Sequence, residues 1–144
     1  MRVPEAVWRE VERHRPQALL AQDIPWIKCS APTSRKVDAV AALYTLHPGE
    51  REALSLCIDY PESLLLTDDM GARLAAKALA IEAHGTLGLL IRTIRRPQLT
   101  KAEVLDLLRA IPLRTTLHIR AALLAEVIAR VAESDETARV DPRQ

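Results

Sequence analysis

Apolar residues in this chain fall into short runs separated by stripes at helical spacing, and that alternation sets the fold class. Leu64-Leu65-Leu66 is long enough for one buried strand and too short for a typical helix. The run stops at Thr67-Asp68-Asp69, and helix formers follow from Ala72 to Ile81. Upstream, Val3-Pro4 reads as a strand end entering a helix, with Pro4 at the first helical position and Val7, Trp8 and Val11 facing inward. Ile24 to Cys29 reads as a short strand near a sheet edge, because Pro25 has no N–H to give a ladder. Arg35 to Tyr44 is helical by pattern. His47-Pro48-Gly49-Glu50 opens a further helix that carries Ala53, Leu54, Leu56, Cys57 and Ile58 and closes at Pro61.

Beyond the helix at 72–81, Glu82 to Thr86 is a short connector or a last parallel strand. Leu87 to Arg96 is helical, with Arg92, Arg95 and Arg96 at its C-terminal end, where cations complement the helix dipole. Thr100 and Glu103 form a capping-box pair for the helix carrying Val104, Leu105, Leu107 and Leu108. A final helix is expected from Leu117 to Ala132, followed by a polar, fraying tail over 133–144. Strands alternating with helices predict an α/β fold with a parallel sheet, in one domain over 1–132.

Composition narrows this picture in three ways. Aromatic residues are 3% and Phe is absent, so the core must be Leu, Ile, Val and Ala, and single-strand binding by stacked aromatics is disfavoured. The formal net charge of +1 gives no global attraction to nucleic acid, so any such contact needs a local basic patch. Cys29 and Cys57 lie far apart and fit no metal spacing; they read as buried free thiols of a cytoplasmic protein. The four histidines are scattered, which argues against a zinc site, and no apolar run reaches membrane-spanning length.

The candidate chemistry lies at the junction of strand and helix around Asp68 and Asp69. In an open α/β sheet, ligands sit outside the carboxyl ends of the strands. Two adjacent carboxylates there serve either as helix caps or as ligands for a hard cation. Glu50, in a first helical turn, carries the same two readings. Arg73 pairs with these carboxylates or contacts phosphate.

Four motifs in order extend the reading: Val3 to Val11, Gly49 to Ala53, Leu65-Leu66-Thr67-Asp68-Asp69-Met70-Gly71-Ala72-Arg73, and Gly85 to Leu90. Together they resemble the PIN-domain superfamily, closest to the prokaryotic group called domain of unknown function 3368. The resemblance implies a three-layer α/β/α domain with a small parallel sheet. It also implies a ribonuclease dependent on Mg²⁺ or Mn²⁺, often the toxin of a toxin–antitoxin pair. Carried over by motif, Glu50, Asp69 and Asp68 are the acidic metal and catalytic residues, and Thr86 sits near where the family often places another polar or acidic group; with Arg73 it is the candidate contact to substrate. RNA, an antitoxin protein and a second copy of the chain are the implied partners, in the cytoplasm. Members of the family carry a further strand and Asp before the Val-Pro-Glu segment, so an N-terminally truncated domain is expected. Such a domain acts either as a nuclease or as an inactive module for RNA or protein binding.

Overall fold

The computed structural model describes residues 1–17, 27–34, 36–96, 98–115, 117 and 119–134. These residues fall into two compact units, Met1–His84 and a second that begins at Gly85. The first is mixed α/β. Strand β1 (Arg2–Pro4) leads into helix α1 (Glu5–His14), and β2 (Lys28–Ser30) is followed by α2 (Asp38–Leu43) and α3 (Pro48–Asp59). Next come β3 (Leu65–Leu66), α4 (Met70–Ala78) and β4 (Ala83–His84). The described strands form two parallel pairs, β1 with β2 and β3 with β4. Val3 lies opposite Cys29 and Leu65 opposite Ala83. Parallel pairing through helical crossovers is the α/β architecture expected from the alternation of elements.

Helix α3 ties this unit together, because α1, α4, β1 and β3 all pack on it. Its Leu54 is fully buried, and with Val37, Cys57, Leu65, Ala75 and Ala76 it forms a core built, as composition demanded, without Phe. Ala75 and Ala76 bring α4 close to the strands. Both α2 and α4 end in a tight left-handed turn at a residue other than glycine, Thr45 at φ 51° and Ala80 at φ 56°. Leu46 N–H returns to the Ala41 carbonyl and Ile81 N–H to that of Ala76, which satisfies carbonyls otherwise orphaned at a helix end.

The second unit is helical in its described residues: α5 (Thr86–Arg95), α6 (Lys101–Arg114) and α7 (Ala121–Glu133). Val104, Leu108 and Ile111 repeat at helical spacing on α6 and meet Leu124 and Val131 of α7 in a separate core. The Lys101 ammonium donates to the carbonyls of Ala132 at 2.6 Å and Ser134 at 2.7 Å, so α6 starts where α7 ends. No helix among the described residues is long and apolar enough to cross a membrane.

Several boundaries differ from the expected ones. Pro4 is the N-cap rather than the first residue of α1. The strand expected over 24–29 is seen over Lys28–Ser30, and 24–26 lie outside the described residues. The helix expected from Arg35 begins at Asp38, and the last helix begins at Ala121 rather than Leu117. The polar tail lies outside the described residues from 135 onward. Cys57 is buried as expected, whereas Cys29 is exposed, because β2 leaves that position uncovered.

Candidate acidic site at the starts of two helices

The start of α3 is written in His47-Pro48-Gly49-Glu50. His47 has the extended backbone of an N-cap and Pro48 takes the first helical position, where its missing N–H costs nothing. The Glu50 carboxylate, three residues past the cap, accepts from the His47 N–H at 2.8 Å. Gly49 allows α1 to approach: a Cβ at this position would stand 2.8 Å from Val7 Cγ2. Two residues on, Glu52 accepts from the Ala6 N–H at 2.8 Å. It thereby serves the first turn of α1, which Pro4 cannot cap with a side chain. Local pattern gave no sign of this contact across 46 positions. Its only signal is that α1 lacks a capping residue of its own.

Asp69 is the N-cap of α4. Its Oδ1 accepts from the Ala72 N–H at 2.7 Å, and its own N–H donates to Thr67 Oγ1 at 3.2 Å. Thr67 N–H in turn donates to the His84 carbonyl at 3.0 Å, which places Asp69 just past the carboxyl end of the β3–β4 pair. Gly71 packs the start of α4 against the segment before α3. A Cβ there would lie 3.3 Å from the Tyr44 carbonyl oxygen and 3.4 Å from Leu46 Cδ2. The segment Tyr44–His47 therefore borders both helix starts, and Glu50 and Asp69 share one edge of the first unit.

Asp68 is exposed on the same connection. Arg73 is exposed in the first turn of α4 and makes no ion pair with a described residue. Thr86 is the first residue of α5 and belongs to the second unit. Beside the shared edge, Asp38, Ala41, Ala42, Thr45, Leu46 and Arg51 line a cavity of about 300 Å³. The Arg51–Asp38 ion pair in its wall is loose, at 3.8 Å.

Carboxylate oxygens are the donors that Mg²⁺ and Mn²⁺ take, so the chemistry of Glu50, Asp68 and Asp69 suits a hard cation. Their geometry does not close around one. Among the described residues no three His, Cys, Asp or Glu side chains gather into a group able to hold a metal. Glu50 and Asp69 each spend a carboxylate oxygen on a helix N–H. The edge offers part of a coordination shell.

No curated protein and no solved structure matches the chain. The family model of domain of unknown function 3368, described as a PIN domain, matches residues 1–133. PIN domains are a nuclease-like fold, generally use divalent metals and point to nucleic acid as partner. With the parallel strand pairs and the acidic edge beyond β3 already in place, that match over nearly the whole chain makes this protein a member of the PIN-domain family.

Proposed function

We propose that the protein is an RNA-directed PIN domain of the divalent-metal endoribonuclease class, with Glu50, Asp69 and Asp68 as its acidic groups. The observation that supports this reading is the shared edge: two helices start against the same segment, one carrying Glu50 in its first turn and the other capped by Asp69 just past the end of β3. A divalent ion at such an edge supplies a Lewis acid and an activated water for phosphodiester hydrolysis. The described donors supply only part of its shell. Arg73 and Thr86 are the proposed contacts to substrate phosphate. In a toxin-type role, the partners are an antitoxin protein and a second copy of the chain, in the cytoplasm.

A second reading is favoured by one specific observation. Both carboxylates already serve as helix caps, which suits a PIN module that binds RNA or protein without cleaving it. Cleavage of single-stranded RNA in Mg²⁺ or Mn²⁺ separates the two. Asn at position 69 keeps an N-cap oxygen, and Gln at position 50 keeps the capping-box geometry, so neither change removes its helix start. Metal-dependent cleavage lost in both Asp69→Asn and Glu50→Gln supports the nuclease. Cleavage that persists in both overturns the site, and no cleavage by the intact protein selects the binding module.

A further inference from the structure

Charge is divided unevenly between the two units. Residues 1–84 hold ten Lys and Arg against twelve Asp and Glu, whereas residues 85–144 hold ten against seven. A chain of net charge +1 therefore carries +3 on its second unit and −2 on its first, a local field that the total conceals.

The cations of the helical unit differ in how they are used. Lys101 closes the end of α7, and Arg109 and Arg130 pair with Asp106 and Glu126 on their own helices. Arg95, Arg96, Arg114 and Arg120 are exposed and enter no ion pair with a described residue. Helix-end electrostatics accounts for Arg95, Arg96 and Arg114, which stand at C-terminal ends. It does not account for Arg120, the N-cap of α7, where a cation opposes the dipole and no side-chain cap bond is made. Arg114 and Arg120 flank the α6–α7 connection, whereas Arg95 and Arg96 lie just before Lys101, at the other end of α6. Fourteen helical residues put roughly 20 Å between the two groups.

We propose that this helical unit is a metal-independent docking surface for the sugar-phosphate backbone of single-stranded RNA, held by Arg95, Arg96, Arg114 and Arg120. A polyanion is the complement of spaced guanidinium groups that make no ion pair with a described residue. Residues 85–134 contain no Phe, Tyr or Trp, so binding here is electrostatic and tolerant of base sequence. The division of labour is physically sensible: the acidic edge of the first unit repels phosphate without a metal, and the basic unit retains it. That the polyanion is RNA rests on the proposed function, while the surface itself does not depend on cleavage.

The test is fluorescence anisotropy of labelled oligouridine with the full-length protein in EDTA, which silences any metal site. Four phosphate contacts give a log–log salt slope of roughly −2.8 for a single strand, an affinity loss of about 50-fold between 50 and 200 mM salt. The variant with all four arginines changed to Gln should lose most of that slope, and the variant with all four changed to Lys should keep it, which separates charge from folding. Three results overturn the proposal: no binding in EDTA at low salt, a slope unchanged in the Gln variant, or equal affinity for polyglutamate of matched charge. The last would assign the surface to an acidic protein.

Discussion

Asp69 gives the sharpest test of how the acidic edge is built. Its replacement by Ala removes the acceptor that holds the Ala72 N–H at 2.7 Å. An N-cap of this kind is worth about 1 kcal/mol, and a negative charge at a helix start about 0.5 kcal/mol more. Asp69→Ala should therefore cost about 1.5 kcal/mol. Asp69→Asn keeps an acceptor oxygen and loses only the charge, so it should cost about 0.5 kcal/mol. At about 4 °C per kcal/mol for a chain of this size, thermal melts followed by circular dichroism should fall by about 6 °C for Ala and about 2 °C for Asn. High salt should erase the gap between Asn and the unaltered protein, because only the charge is screened, and leave the gap between Ala and Asn. An Asn variant as damaged as Ala, or an undamaged Ala variant, would refute the capping geometry.

Other perturbations probe the packing and the titrating groups. Leu54 of α3 is fully buried, and Leu54→Ala should cost about 2–5 kcal/mol in urea denaturation. Ala80→Gly relieves a left-handed backbone at φ 56° and should stabilise by about 1 kcal/mol, as the shift of the urea midpoint will report. Burial pushes the Cys57 thiol up, despite a hydrogen bond with Ser63, and Cys29 is exposed. One thiol should thus react with Ellman's reagent in the native protein and two after unfolding. The Thr33 backbone N–H, at 2.6 Å, and then that of Ser34 hold the Asp59 carboxyl below its ordinary range. A carboxylate depressed in the folded state adds stability that is complete above about pH 4 and lost as pH falls further. Asp59→Asn should accordingly flatten the acid limb of a plot of urea midpoint against pH.

Much of the fold is legible in local sequence because its determinants are local. Thr100 and Glu103 form the box their spacing announces, with Thr100 N–H and Oγ1 both on the Glu103 carboxylate. Val104, Leu108 and Ile111 form the buried stripe of α6. Asp69 caps α4, one of the two roles its position allowed. What local pattern missed depends on distant partners. Glu52 reaches Ala6, and Gly49 is small because Val7 stands over it. The leucine run yields only Leu65 and Leu66 as strand, and Leu66 is 47% exposed, because β3 is covered on one face only. The basic helical unit was invisible in the overall charge, since the two units offset each other and only Gly85 separates β4 from α5 at their boundary.

The central claim is that the shared edge of α3 and α4 is a metal-dependent site acting on RNA, and Mn²⁺-dependent cleavage of end-labelled single-stranded RNA tests it most directly. The expected result is cleavage by the intact protein that stops in EDTA and is lost in Asp69→Asn and in Glu50→Gln while both variants stay folded. Cleavage that survives both substitutions, or RNA left whole by the intact protein in Mn²⁺, would contradict it.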